Sequence, residues 1–184
     1  MKQALLVMDV QQGIVDRVGA SDSYLETVSG ALAAARAAGI RVLHVGLGFR
    51  EGHPEVSPRN RSFSSIADTG RFGPDDPSAA PHPAAAPIAG ETWVSKKRVS
   101  AFAGSDLEML LRAGGIDTLV LSGIATSGVV LSTLRQAADL DFRIVVLADA
   151  CLDGDDEVHR VLTEKVFPRQ ADVMATEAWA GTLR

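Results

Sequence analysis

Two charged residues stand where short apolar segments end, and a pair of this kind can transfer protons. Asp9 interrupts the apolar segment at residues 4–10, and Lys96 and Lys97 close the segment at residues 92–97. Alternation along a strand sends the two lysines to opposite faces of a sheet. If one of these lysines is buried against Asp9, the two would form a proton-transfer unit in which the ammonium keeps the carboxylate ionised. The structural alternatives are an aspartate that caps a loop and a lysine in solvent.

The order of the predicted elements supplies a scaffold that could bring strand ends together. Short apolar segments predict strands at residues 4–10, 40–47, 92–97, 116–123, 142–149 and 171–176, with helices between most of them. Strands that alternate with helices predict right-handed βαβ units and a doubly wound, mostly parallel α/β sheet with helices on both faces. Such sheets place their functional sites beyond the carboxyl ends of the strands, where Asp9 and Lys96 lie.

Length and composition predict a single domain that covers residues 1–184. The chain is 46% hydrophobic and 22% charged, which is ordinary for a soluble globular protein. The net charge of -5 argues against a nucleic-acid partner. No apolar segment reaches the roughly 18 residues of a membrane span, so no membrane association is expected. A single cysteine, Cys151, excludes an internal disulfide and is typical of a cytoplasmic protein.

Three motifs in a defined order carry a resemblance to a known family. They are LLVMDVQ at the first predicted strand, SKKRVSAF at the third, and LVLSGIATSGVVLSTLRQAADL around the fourth. In type, spacing and order they resemble the isochorismatase-like, or cysteine hydrolase, family, and the similarity spans nearly the whole chain. The resemblance implies a three-layer, Rossmann-like α/β fold and a catalytic triad of Asp, Lys and Cys.

The resemblance implies roles for particular residues. Asp9 matches the family Asp and Lys96 the family Lys, whereas the position of the family Cys falls on Val129. Backbone N–H groups around that position form the family's oxyanion hole, and a cis peptide is implied between Ala125 and Thr126. The corresponding oxyanion-hole residues of this chain are Ala125, Thr126, Ser127 and Gly128.

Valine at position 129 closes the covalent route of the family's amidases, because its side chain has no lone pair and no proton to transfer. The isochorismatase branch, which hydrolyses a vinyl ether to pyruvate, also lacks the Cys, and Asp9 with Lys96 would suffice for that mode. Two alternatives stay open. One is an inactive or repurposed member that binds a small metabolite, and the other is an amidase whose nucleophile has moved to Ser127 or Cys151.

The long segment at residues 48–90 is expected to cover the site and to bind substrate. Its two arginines, amide and aromatic in SPRNRSF suit a small anionic substrate, because Arg binds carboxylates in a bidentate manner. A solvated loop and a contact between subunits are the alternatives. The GLGFREG segment is interpreted as a turn that lets the backbone approach the pocket, and Trp93 as a core residue. The expected substrate-binding residues are Gln11, Phe49, Arg59, Asn60 and Phe63.

No metal or other cofactor is expected. The family's zinc-binding members use an Asp-x-His pair and a further His, and this chain contains no Asp-x-His. Its four histidines are scattered without ligand spacing. Because family members are usually dimers or tetramers, the resemblance also implies a homo-oligomer.

Overall fold

A six-stranded sheet forms the centre of the molecule. The computed structural model describes residues 1–183. The strand order is β3-β2-β1-β4-β5-β6 and every neighbouring pair is parallel, which confirms the predicted α/β class. The strands are β1 (Gln3–Met8), β2 (Arg41–Leu47), β3 (Thr92–Lys96), β4 (Thr118–Ile124), β5 (Arg143–Leu152) and β6 (Asp172–Met174).

Helices cover both faces of this sheet and make two apolar cores. One core packs α1, α2 and α7 against the sheet, and the other packs α4 and α5. The apolar segments predicted as strands are therefore buried on both sides, as parallel strands usually are. The helices are α1 (Gln12–Val18), α2 (Asp22–Ala37), α3 (Ser64–Thr69), α4 (Leu107–Ala113), α5 (Leu131–Asp139), α6 (Asp156–Val161) and α7 (Thr176–Gly181).

Several elements differ from the sequence prediction. Helices α1 and α3 were not predicted, and β5 continues three residues beyond the predicted end at residue 149. The helical region after β4 is not one regular α-helix, because it begins with a wide π-helical turn at Thr126–Val130, which α5 continues. The helical region after β5 is divided into α6, a π-helical turn at Leu162–Val166 and a short 3-10 turn at Phe167–Arg169. Pro168 lies in that last turn and has no N–H to continue an α-helix.

The long segment after β2 is ordered by a few polar contacts. Besides α3 it contains two single 3-10 turns, Pro77–Ala79 and Pro83–Ala85. At its end Glu91 accepts hydrogen bonds from Arg36 of α2, at 2.8 Å, and pairs with His44 of β2 at 2.7 Å. These contacts hold the Glu91 pKa at about 2, chiefly through the Arg36 guanidinium. The segment is thereby tied to α2 and β2, and it lies over the carboxyl ends of the strands.

A glycine at the end of β4 allows that strand to approach β1. Gly123 has a φ of 141°, a conformation that side-chain-bearing residues rarely adopt. A Cβ at this position would lie 2.1 Å from the Met8 carbonyl oxygen. This close approach occurs one residue before Asp9 and two before Ala125, so it sets the distance between the two parts of the candidate site.

Gly123→Ala should therefore destabilise the protein by about 3 kcal/mol or more, because strain and a backbone clash coincide. Gly30→Ala is the matched control, since Gly30 is exposed inside α2 and a Cβ there meets no atom within 4 Å. That change should stabilise the protein by about 0.5–1 kcal/mol. Chemical denaturation of both variants measures the difference. Equal stabilities of the two variants would contradict the close approach of β4 to β1.

Candidate active site

Asp9 and Lys96 meet across the end of β2. Asp9 follows β1 with a positive φ of 58°, and its amide donates a hydrogen bond to the Val45 carbonyl at 2.7 Å. Lys96 is the last residue of β3, and its Nζ lies 2.9 Å from Asp9 Oδ2. Their side chains are only 7% and 1% exposed, so the pair is removed from water. Lys97 points elsewhere, as the alternation of a strand requires.

The electrostatic environment leaves Asp9 able to hold a proton. Lys96 Nζ also donates to the Arg98 carbonyl at 3.0 Å, whereas Asp9 Oδ1 is buried and has no hydrogen-bond partner among residues 1–183. Burial raises the pKa of Asp9 above its ordinary value, and the Lys96 ammonium opposes that rise without cancelling it. Lys96 favours the ionised carboxylate, as the sequence predicts, but the cost of burying the carboxylate is larger, so the net pKa of Asp9 is raised.

A cavity of ≈ 200 Å³ opens next to this pair. Four of its lining side chains are polar, and they are Asp9, Lys96, Arg17 and Ser62. The other lining residues are apolar or glycine and come mainly from the ends of β2 and β4, the long segment and the turn after β4. The cavity thus combines a titratable pair with an apolar wall, which is the usual composition of a small-molecule site.

Val129 forms part of the cavity wall and is 2% exposed. It lies in the π-helical turn that follows a cis peptide bond between Ile124 and Ala125. The sequence analysis placed the cis bond one residue too late, between Ala125 and Thr126. Ala125 and Gly128 also line the cavity, and the Gly128 amide donates to the Ala125 carbonyl at 3.0 Å.

Two other residues of this turn, Thr126 and Ser127, form hydrogen bonds that hold the turn to the rest of the fold. Thr126 Oγ1 lies 2.8 Å from Nδ1 of His159, and the Ser127 amide donates to Asp153 Oδ2 at 2.6 Å. Neither Thr126 nor Ser127 lines the cavity. The turn therefore presents Ala125, Gly128 and Val129 to the cavity.

Neither residue considered as a relocated nucleophile reaches the cavity. The side chain of Ser127 is exposed on the far side of the turn. Cys151 lies inside β5, not beyond it as the sequence predicted, and packs in the core with its Sγ 3.9 Å from the Leu121 carbonyl. Burial raises the pKa of the Cys151 thiol to about 12, so little thiolate forms near neutral pH.

Of the five predicted substrate-binding residues, the structure places Phe63 in the cavity wall. Phe49 packs edge-on against Phe63, with ring centroids 6.0 Å apart, and does not line the cavity. Gln11 is fully buried, and its side chain donates to the carbonyls of Leu47 and Ala79 and accepts from the Leu47 amide. Gln11 therefore joins β2 to the long segment.

The two polar residues predicted from the long segment also lie outside the cavity lining. Arg59 is exposed, so it matches the alternative of a solvated loop. Asn60 accepts hydrogen bonds from the amides of Ser62 and Phe63, both at 3.2 Å. Asn60 thereby shapes the backbone that carries Ser62 and Phe63 into the wall.

Arg17 is a charged residue of the cavity lining that was not predicted from the sequence. It belongs to α1 and forms no ion pair within 4 Å in the part of the chain that the structure describes. Its charge acts on Asp9 and lowers that pKa slightly. The helical spacing of Ile14, Val15 and Val18 could have predicted α1 and, with it, a position for Arg17 near Asp9.

Residues 1–183 contain no group of three or more His, Cys, Asp or Glu side chains that could hold a metal ion. The histidines nearest the long segment have other contacts: His44 pairs with Glu91, and His53 Nε2 lies 2.7 Å from the Arg71 carbonyl. Among the same residues, no helix has the length and apolar character needed to cross a membrane.

Comparison with known proteins identifies the family. The isochorismatase domain family matches residues 3–178. The chain is 36% identical to an uncharacterized isochorismatase family protein, YecD, of Escherichia coli O157:H7, over 95% of this chain and 92% of that protein. It is 34% identical to the ureidoacrylate amidohydrolase RutB of Methylobacterium radiotolerans, over 96% of this chain and 79% of RutB.

A solved structure supports the same assignment. The isochorismatase family protein from Desulfovibrio vulgaris subsp. vulgaris str. Hildenborough superposes with a TM-score of 0.88 at 29% identity, covering 99% of this chain and 98% of that one. The three-layer fold and the sequence match therefore agree, and the chain belongs to the isochorismatase family of hydrolases.

Proposed function

We propose that the protein hydrolyses a small anionic substrate by proton transfer from Asp9, without a covalent intermediate. The observation that carries this proposal is the joint lining of one cavity by the buried Asp9–Lys96 pair and by Val129. In this proposal Val129 stands at the position of the family's Cys. The cavity then has an acid but no nucleophile.

A vinyl ether of the isochorismate type suits such a cavity. Protonated Asp9 donates its proton to the terminal vinyl carbon, and the adjacent carbon becomes an oxocarbenium ion. Water adds to that carbon and returns a proton to Asp9. The hemiketal hydroxyl then gives up its proton, the bond from this carbon to the ether oxygen breaks, and the ether oxygen takes up a proton, which yields a ketone and an alcohol. Lys96 stabilises the Asp9 carboxylate between the two proton transfers, because its ammonium lies 2.9 Å away.

The raised pKa of Asp9 favours the acid role. A general acid works best when its pKa lies near the working pH, since it must be protonated before the reaction and able to release the proton. Burial raises the pKa of Asp9, which brings that pKa closer to a neutral working pH. The free Oδ1 atom supports the same role, because no protein donor competes with a substrate for it.

Arg17 is proposed to hold the anionic group of the substrate, in place of the loop arginines. It is the one lining cation of this cavity that is not already paired with a described carboxylate, since Lys96 is bound to Asp9. A guanidinium can bind a carboxylate through two parallel hydrogen bonds. The anion would then lie near the exposed end of the cavity and the reacting atoms near Asp9.

A second candidate function is amide hydrolysis, which is favoured by the similarity to RutB, a ureidoacrylate amidohydrolase. It would require an attacking group other than residue 129. Cys151 and Ser127 both lie away from the cavity, so the attacking group would be water activated by an ionised Asp9. Base catalysis of that kind needs the carboxylate, whereas burial favours the protonated form.

Asp9→Asn should abolish pyruvate release from isochorismate, with kcat lower by about 10²–10⁴-fold, because amide nitrogen cannot supply the proton. Val129→Ala is the matched control in the same cavity wall and should retain turnover. Coupled detection of pyruvate measures both, and circular dichroism checks that both variants fold. Ammonia release from ureidoacrylate, measured in parallel, reports the second candidate function.

Pyruvate release by Asp9→Asn at the wild-type rate would contradict the acid role. Ammonia release without pyruvate release in the wild type would replace the vinyl-ether proposal by the amidase one. Binding of isochorismate without either product would identify a repurposed member that has kept the cavity and lost turnover.

Arg17→Met should raise KM for an anionic substrate by about 10–100-fold and leave kcat much less changed, because a charged hydrogen bond to the substrate is lost. Arg59→Met is the control, since Arg59 is exposed and outside the cavity lining. Steady-state kinetics of the two variants separate the roles. A higher KM in Arg59→Met with no change in Arg17→Met would place the anion-binding site in the long segment and contradict the proposed role of Arg17.

A further inference from the structure

A second and larger cavity, of ≈ 610 Å³, lies beside the candidate active site. Leu47 and Phe72 line both cavities and form the wall between them. The larger cavity lies on the face of β3 that carries Trp93, Ser95 and Lys97, the face opposite to Lys96. Its volume falls within the range of about 300–1,000 Å³ that is common for small-molecule sites.

The GLG part of the GLGFREG segment makes room for this cavity. A Cβ on Gly46 would lie 2.4 Å from the Trp93 ring, and a Cβ on Gly48 would lie 2.6 Å from Ser95 Oγ. Because these glycines have no side chain, the Trp93 indole and the Ser95 side chain can pack closely against the end of β2. Trp93 is 36% exposed, contrary to the expectation that it is a core residue, and it lines the cavity.

Lys97 supplies an available positive charge in this cavity. Its Nζ donates to the Gly48 carbonyl and, at 3.0 Å, to Ser95 Oγ, which leaves one of its three N–H groups for a ligand. Within residues 1–183 it forms no ion pair shorter than 4 Å. Burial lowers the pKa of Lys97, and the nearby charge of Glu55 opposes that shift without cancelling it.

The other charged lining residues are already engaged. Arg50 pairs with Glu55 at 2.8 Å. Asp76 accepts hydrogen bonds from the Phe72 amide at 2.6 Å and the Ser78 amide at 3.0 Å, and also from the Ser78 hydroxyl. These bonds lower the pKa of Asp76 and satisfy its charge locally. The cavity therefore offers one unpaired cation beside an aromatic surface.

We propose that this cavity is a second small-molecule site, which binds an aromatic carboxylate by stacking on Trp93 and by an ion pair with Lys97. The ligand carboxylate accepts a hydrogen bond from the remaining N–H of Lys97, and the aromatic ring of the ligand stacks on the exposed face of the Trp93 indole. Phe49, Phe72 and the prolines of the long segment complete the apolar wall. The proposal is independent of the reaction proposed for Asp9.

Isothermal titration of the full-length protein with 2-naphthoate tests this proposal. We expect binding to the wild type, at least about tenfold weaker binding to Lys97→Met, and little change in Arg17→Met, which alters the neighbouring cavity. The neutral isostere 2-naphthamide should bind the wild type at least about tenfold more weakly than 2-naphthoate, and this comparison needs no variant. Quenching of Trp93 fluorescence should accompany binding.

Three results would overturn the proposal. Equal affinity for the acid and the amide would show that no cation takes part. Loss of binding in Arg17→Met with full binding in Lys97→Met would place the probe in the Asp9 cavity. Absence of binding at millimolar probe, with the protein forming a dimer in sedimentation, would assign the cavity to a contact between copies of the chain.

Discussion

Two opposite charges lie 2.9 Å apart at the end of the sheet, and both side chains are almost completely buried. Burying either one alone would cost several kcal/mol, so Asp9 and Lys96 have to meet. They come from β1 and β3, which are separated by β2, and the pairing therefore requires the parallel register of all three strands. The unpredicted helix α1 and the long segment contribute residues to the cavity beside this pair, which limits the exposure of the pair to solvent.

The same burial gives the cavity its chemical character. Desolvation of Asp9 outweighs the attraction of Lys96, so the pKa of Asp9 lies above its ordinary value. Beside Asp9 the turn after β4 presents Val129, which cannot attack a substrate. The cavity thus combines the Asp9–Lys96 pair, an apolar wall and the Arg17 guanidinium, which forms no ion pair with another residue of the range 1–183. These are the groups that the proposed hydrolysis of an anionic vinyl ether uses.

The fold and the ion pair were accessible from the sequence because both follow from local pattern. Apolar segments that alternate with helices define a parallel sheet, and a charge that interrupts such a segment needs a partner. Residues that act through tertiary contacts were not accessible in this way. Gln11 was predicted to bind substrate because it lies in a family motif, but its hydrogen bonds join β2 to the long segment. Arg59 was predicted to bind substrate because a guanidinium suits an anion, but its side chain is exposed. Arg17 reaches the cavity only because α1 turns back over the strand ends.

The pKa of Asp9 tests the central claim most directly. Carbon-13 NMR of protein labelled at the aspartate side-chain carboxyl measures this pKa, and comparison with the Asp9→Asn variant identifies the Asp9 signal. Because burial raises the pKa of Asp9, its resonance should titrate above the ordinary aspartate value of 3.8. A midpoint at or below 3.8 would mean that Lys96 keeps Asp9 ionised, and it would contradict the proposal that Asp9 delivers the proton.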